Sequence, residues 1–443
     1  MTSTVRRAGA FAILSTLSLV VPLFDPVTAV PVAAAVLLAA FAVTEGPLFD
    51  LFAYPDDYED GRLYGLITFV LAVTALGLVS VMSSMSTAVF VGTVVLVGYG
   101  NLAAAVTRRW TDNPASHAAA FCVGATTAGV AGYAISRTLT GDPVTDTFPK
   151  IVFLAVAGAL LAALLRDILI LYDDPVVMLA VGFLCWLLAE LVPGLGATEI
   201  AVATVVTVAV GYLSYALGAA SVAGMLTGIL LGLLTIVLGG YSWFAVLMSF
   251  FAIGSLSTKF RYDEKVDRGV AQENDGARGS SNVLGNAAVA LVAVLGYAAS
   301  AADLPLLSEA NPELFLFAFA GSLATAMSDT LSSEVGGVFD TPRLITTLEP
   351  VEPGTDGGVT WQGEVAGLLG ASVVAGLTYA VFPDVGLVGA AIVVAAGFVG
   401  MTVDSLLGAT IEGTAVGNQG VNFLATLSGA ITGALLVLAV AVL

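Results

Sequence analysis

Leu314-Phe-Leu-Phe-Ala-Phe-Ala-Gly321-Ser-Leu-Ala-Thr-Ala-Met-Ser328 carries no charge, and it runs directly into Asp329-Thr-Leu-Ser-Ser-Glu334-Val-Gly336-Gly337. The polar stretch continues through Thr341-Pro342-Arg343-Leu-Ile-Thr346-Thr347 and Pro353-Gly354-Thr355-Asp356-Gly357-Gly358 before a second apolar run opens at Gly363. Apolar runs of this kind approach the ~20 residues that a helix needs to cross a bilayer. A glycine-rich segment with several carboxylates and a lone arginine is costly between two such runs, so its place there points to chemistry.

The same alternation extends through the chain. Apolar runs of helical length lie at 8–24, 27–43, 64–82, 85–106, 118–136, 150–165, 176–192, 197–217, 221–238, 239–256, 284–302, 314–328, 363–382, 385–403 and 422–443. The fold class is therefore all-α, a polytopic integral membrane protein with roughly 13–15 transmembrane helices. Composition agrees, because 58% of the 443 residues are hydrophobic and 11% charged, with a mean hydropathy of +0.99; most of this surface must face lipid. Residues 1–196 read as N-terminal membrane helices of no assigned role, and residues 197–443 as the membrane domain that carries the polar motifs. The weakest divisions are at Gly239-Gly240, where a turn must cut one long run, and at Arg166-Asp167, which interrupt another.

Fourteen Lys and Arg stand against 33 Asp and Glu, for a net charge of -19. That balance suits a halophilic, archaeal source whose salt screens self-repulsion, and it argues against nucleic acid as a partner. Cys122 and Cys185 lie alone in apolar runs and read as packing residues, and His117 is the single histidine, so neither a Cys/His metal site nor a Ser/His/Asp triad is indicated.

Lys and Arg gather in cytoplasmic loops of membrane proteins. Arg6 and Arg7 put the N-terminus inside, and counting spans from there puts Arg62, Arg108, Arg109, Arg166, the 257–283 loop and Arg343 on the same side, leaving only Arg137 and Lys150 outside. The expectation is a multi-pass protein of the cell membrane whose main polar loops are cytoplasmic. In the first half, the acids and aromatics of Thr44–Arg62 read as a solvated loop at headgroup level, and Arg108-Arg109-Trp110 as an interfacial anchor.

Three loops of the second half concentrate the polar residues. The first holds five of the fourteen basic residues, Lys259, Arg261, Lys265, Arg268 and Arg278, interleaved with Gln272, Asn274, Asp275, Asn282 and Asn286. Such clustering in a cation-poor chain suits an anionic ligand as well as a topology signal. In the second, Asp329 and Glu334 are five apart, about 140° around a regular helix, so a metal shared by both requires the helix to break near Gly336. Arg343 is the only base between Arg278 and the last residue, and is read as paired with a carboxylate or phosphate. In the third, Asp404, Gly408 and Glu412 follow one another at one-turn spacing, and Gly417-Asn418-Gln-Gly-Val-Asn422 comes next. No G-x-x-x-x-G-K-S/T and no G-x-G-x-x-G after a strand occurs. The candidate site has Asp329, Glu334 and Asp404 as ligands of Mg2+, Asp329, Asp404 and Lys259 as catalytic residues, and Lys265, Arg278, Asn282, Asn286, Arg343, Asn418 and Asn422 toward phosphates.

These residues resemble motifs of the integral membrane family related to transmembrane protein 19, which includes the plant chloroplast phytyl phosphate kinase. The resembling segments are Gly254 to Lys265 with Asn282-Val-Leu-Gly285-Asn286; Ala324 to Gly336; Pro342 to Thr347 with Pro353 to Gly358; and Asp404 to Thr410 with Gly417 to Leu424. They cover roughly residues 200–443. The resemblance implies transfer of phosphate from a nucleoside triphosphate, CTP among the candidates, to a prenyl monophosphate, phytyl or geranylgeranyl, giving a prenyl diphosphate. The alternative is a transporter or flippase that binds isoprenoid phosphates in the lipid bilayer without chemistry; protein partners are not specified by any motif.

Overall fold

A computed structural model describes residues 3–24, 26–169, 174–192, 194–269, 277–302 and 311–442. It divides into two compact units, Met1–Thr204 and Val205–Leu443. The first contains α1 (Thr4–Thr16, continued by a 3-10 turn to Leu23), α2 (Pro26–Ala42), α3 (Pro47–Phe52), α4 (Asp57–Asp60), α5 (Tyr64–Met82), α6 (Thr87–Thr107), α7 (Pro114–Thr140), α8 (Phe148–Ile168) and α9 (Asp174–Leu191), with α10 (Ala197–Ala216) crossing the boundary. The second contains α11 (Val222–Gly239), α12 (Tyr241–Ser257), α13 (Tyr262–Asp267), α14 (Ser280–Ala301), α15 (Pro312–Gly336), β1 (Arg343–Leu344), β2 (Gly358–Val359), α16 (Trp361–Val381), α17 (Leu387–Gly408) and α18 (Asn418–Val442). Among the described residues, thirteen helices are long and apolar enough to cross a membrane, and α12 is a shorter apolar helix. The protein is an all-α integral membrane protein, and each of the apolar runs coincides with a helix.

One expected boundary is present and others differ from those read in the sequence. Gly240 adopts φ 94° and separates α11 from α12, as the run of 221–256 requires. Arg166 and Asp167 do not end α8, which runs on to Ile168. Asp329 and Glu334 lie inside α15, and Asp404 and Ser405 inside α17, where loops were expected. A polar side chain ends an apolar run but not a helix when it faces another protein segment that can satisfy it. Gln272, Asn274 and Asp275 lie outside the described residues.

In the second unit, α15 touches α12, α14, α16, α17 and α18. Its middle, Phe319 to Ser328, is buried without interruption. Lipid gives helices little hydrophobic reason to associate, so close approach and interhelical hydrogen bonds carry the packing. The Ser328 hydroxyl donates to the Gly367 carbonyl at 2.9 Å, and a Cβ at Gly367 would fall 2.9 Å from the Ser328 carbonyl oxygen. In the first unit the loop before α5 is less solvated than its acids suggest. Asp57 is fully buried and accepts from the backbone N–H groups of Tyr54 at 2.8 Å and Tyr64 at 3.0 Å.

Candidate functional site

The C-terminal ends of α12, α15 and α17, the N-terminal ends of α14 and α18, helix α13 and the β1–β2 segment contribute the polar residues of the second unit. At the end of α12 the last carbonyls have no intrahelical donor and carry the negative end of the helix dipole. Lys265 of α13 supplies the donor. Its ammonium group donates to Thr258 O at 2.8 Å and Ser257 O at 3.4 Å, and pairs with the Glu334 carboxylate of α15. Lys265 is 2% and Glu334 5% exposed, so the pair is held out of water, where each charge depends on the other. All three ammonium protons have protein acceptors, and Lys265 acts here as a tie between three helices. Arg268 adds a surface ion pair to Asp340 at 2.9 Å.

Glu334 therefore faces α13, and Asp329 faces elsewhere. The carboxyl groups of Asp329 on α15 and Asp404 on α17 lie within hydrogen-bonding range of each other, and Glu412 is close enough to act on both. Asp404 Oδ1 is buried with no donor among the described residues. Two carboxylates this close repel unless a proton or a cation lies between them. Glu412, beyond the end of α17, is itself pushed above the usual carboxylate range by partial burial, with the Asp356 charge adding to the effect and a hydrogen bond from Asn418 opposing it.

The β1–β2 segment lies against this acidic group. Arg343 pairs with Val359 and Leu344 with Gly358 in a two-stranded antiparallel ladder. Gly357, at φ 74°, sits on the end of α17, where a Cβ would fall 2.6 Å from both Ser405 O and Ala409 N; only glycine meets both requirements. Thr341 and Leu348 are also left-handed, at φ 61° and 59°, a conformation that stores strain in residues with a Cβ. Arg343 is exposed, and its Nη1 donates to Leu348 O at 2.6 Å, which closes the segment on itself. That backbone carbonyl is the hydrogen-bond partner this structure gives the Arg343 side chain.

Arg278 is buried beside α12, its guanidinium 5.1 Å from the Phe250 ring centroid, with Nε and Nη1 lacking partners among the described residues. Within α14, Asn286 Nδ2 donates to Asn282 O at 3.0 Å, and where α14 meets α18 a Cβ at Gly285 would fall 3.0 Å from Gln419 O. Asn282 Oδ1 and Gln419 Oε1 are buried without donors, Asn422 is buried and Asn418 is exposed. Lys259 is exposed at the end of α12.

The structure thus brings Asp329 to Asp404, separates Glu334 from them by tying it to Lys265, and leaves Arg343 on its own segment. Glu412 and Gln419 are additions to the site. Glu412 shares the Asp404 register in the sequence, whereas nothing local to Gln419 marks its Oε1 as buried. Among the described residues no three His, Cys, Asp or Glu side chains form a ready-made metal cluster. The donor set nonetheless fits Mg2+, which takes one or two carboxylates and completes its shell with water and phosphate oxygens. Asp329 and Asp404 provide those two, and the donorless Asp404 Oδ1 provides a free lone pair.

Residues 205–430 match the family model described as integral membrane protein DUF92. The chain belongs to this family. The match starts where the second compact unit starts and encloses all four motif segments. An uncharacterised membrane protein of Methanocaldococcus jannaschii is 32% identical over 219 residues, 48% of this chain and 84% of that protein. Protein VTE6, chloroplastic, of Arabidopsis thaliana is 35% identical over 150 residues, 34% of this chain and 44% of its own length. Protein PGR of the same plant is 34% identical over 189 residues, 39% of this chain and 65% of its own length. No solved structure matches the chain.

Proposed function

We propose that the second unit is a membrane-embedded phosphotransferase that moves phosphate from a nucleoside triphosphate to a prenyl monophosphate, phytyl or geranylgeranyl, at the cytoplasmic ends of its helices in the cell membrane. The observation that carries the reading is the Asp329–Asp404 pair, two carboxyl groups drawn from separate helices into hydrogen-bonding range at the polar end of an apolar bundle. The motif resemblance supplies the substrate class.

Phosphoryl transfer needs positioning and charge neutralisation more than covalent groups, which suits a site without histidine or cysteine. Asp329 and Asp404, with Glu412 beside them, would hold Mg2+, and the cation would offset the charge of the phosphates. Gly357 and the strained β1–β2 segment cover the end of α17 and keep Asp404 in place. The Lys265–Glu334 tie fixes the end of α15 and so the direction of Asp329. Lys259, exposed beside that tie, is available to the nucleotide.

Purified protein incubated with Mg2+, each nucleoside triphosphate in turn and phytyl or geranylgeranyl monophosphate should form the diphosphate. Binding of the monophosphate with no turnover under any donor would favour a transporter. Single cysteines at positions 350 and 412, after replacement of Cys122 and Cys185, should label from the cytoplasmic side only; labelling of either from outside would contradict the placement.

A further inference from the structure

Arg278 stands immediately before α14 and is 6% exposed. Its backbone is fixed on both sides, because its N–H donates to Ala219 O at 3.0 Å and its carbonyl accepts from Ser221 N at 3.1 Å. The side chain lies on the Phe250 ring and against Gly254, where a Cβ would fall 2.7 Å from Nη2. Glycine at 254 thus keeps open the space the guanidinium occupies. Among the described residues, Nε and Nη1 have no hydrogen-bond partner within that space.

The carboxylate that acts on Arg278 is Glu334, and it is already paired with Lys265. Glu334 thus faces two buried cations, and its ion pair is with Lys265 rather than Arg278. Burial draws the Arg278 guanidinium down to about 10, with Glu334 opposing the shift, so it stays charged at neutral pH. The N-cap of α14, Gly279, has no side-chain hydrogen bond, and the start of this 22-residue helix adds positive potential next to Arg278. A buried guanidinium with two unused donor nitrogens at the start of a helix suits a small anion with several acceptor oxygens.

The surroundings narrow the class. Phe250 supplies an apolar wall beneath the guanidinium, and on the same two helices Leu256 and Leu284 are exposed apolar side chains, 71% and 36%. An anion on an apolar chain can reach such a place along the bilayer. We propose that Arg278 and the start of α14 form the subsite for the phosphate monoester of the lipid substrate, distinct from the Asp329–Asp404 pair. The assignment rests on the phosphotransferase reading for its place in a reaction, but the binding itself does not require turnover.

The test uses full-length protein in phosphatidylcholine nanodiscs without nucleotide, with geranylgeranyl monophosphate, geranylgeraniol and inorganic phosphate as probes, followed by thermal shift and by 31P NMR of the probe. Wild type should bind the monophosphate at least ~10-fold more tightly than the alcohol, inorganic phosphate should compete only weakly, and Arg278→Gln should bind both lipids alike. Arg278→Lys should restore part of the difference. Glu334→Gln keeps an acceptor for Lys265 but removes the opposing charge, so it should tighten monophosphate binding, which a purely structural carboxylate would not do. Equal binding of monophosphate and alcohol by wild type overturns the proposal, even if Arg278→Gln does not fold. Full discrimination in Arg278→Gln also overturns it, and inorganic phosphate competing as strongly as the lipid would reassign the site to a free anion. Diphosphate formation with an unchanged KM in Arg278→Gln would sink the subsite and leave the phosphotransferase standing, whereas specific binding without turnover would do the reverse.

Discussion

Lys265→Met removes the ammonium group that three helices share. Its loss leaves Glu334 at 5% exposure with no cation, and leaves Ser257 O and Thr258 O without their side-chain donor. Breaking one side of a buried pair costs ~3–5 kcal/mol, because the surviving charge stays in a poorly solvating interior. That is about a hundred- to several-thousandfold in the folding equilibrium, at 1.4 kcal/mol per decade. Replacing both partners by apolar residues of similar volume is often close to neutral. The double variant Lys265→Met/Glu334→Leu should therefore recover most of the loss and fall far short of the sum of the two single losses. Urea unfolding in detergent micelles, read by tryptophan fluorescence, measures each corner of the cycle. A Lys265→Met variant within ~1 kcal/mol of wild type, or a double variant that loses the sum of the two single losses, would refute the tie.

Gly357→Ala should destabilise the protein by ~1–3 kcal/mol, since the new Cβ meets Ser405 O and Ala409 N in a left-handed residue; thermal unfolding and the prenyl phosphate assay should both register it. Arg343→Lys should leave the KM for prenyl monophosphate within about twofold, because the guanidinium is engaged with Leu348 O; a tenfold rise would assign it to the phosphates. Raising KCl from 0.1 to 1 M shortens the Debye length from ~10 to ~3 Å and should raise the Tm of a chain with net charge -19; a flat or falling Tm contradicts the halophilic reading.

Most of the fold was legible because crossing a bilayer imposes length and apolarity on each helix, and every apolar run became one. The boundaries at Asp329 and Asp404 were not, since apolarity stops at a carboxylate whereas the helix stops only where its hydrogen bonds do. The site was legible in residue types and only partly in pairings. The five-residue spacing of Asp329 and Glu334 correctly placed them on different faces, about 140° apart. It did not tell which helix each face would meet, and the meeting of Glu334 with Lys265, 69 positions away, has no local signal. Arg343 stood out by its isolation in the sequence, yet its partner is a backbone carbonyl five residues on.

The most direct test of the central claim is the rate of prenyl diphosphate formation by Asp404→Asn in nanodiscs, measured beside wild type with Mg2+ and the preferred nucleoside triphosphate. The amide keeps the shape of the side chain and removes the repulsion with Asp329, so the variant should unfold at or above the wild-type temperature while its rate falls at least ~100-fold. Wild-type turnover by Asp404→Asn would contradict the account.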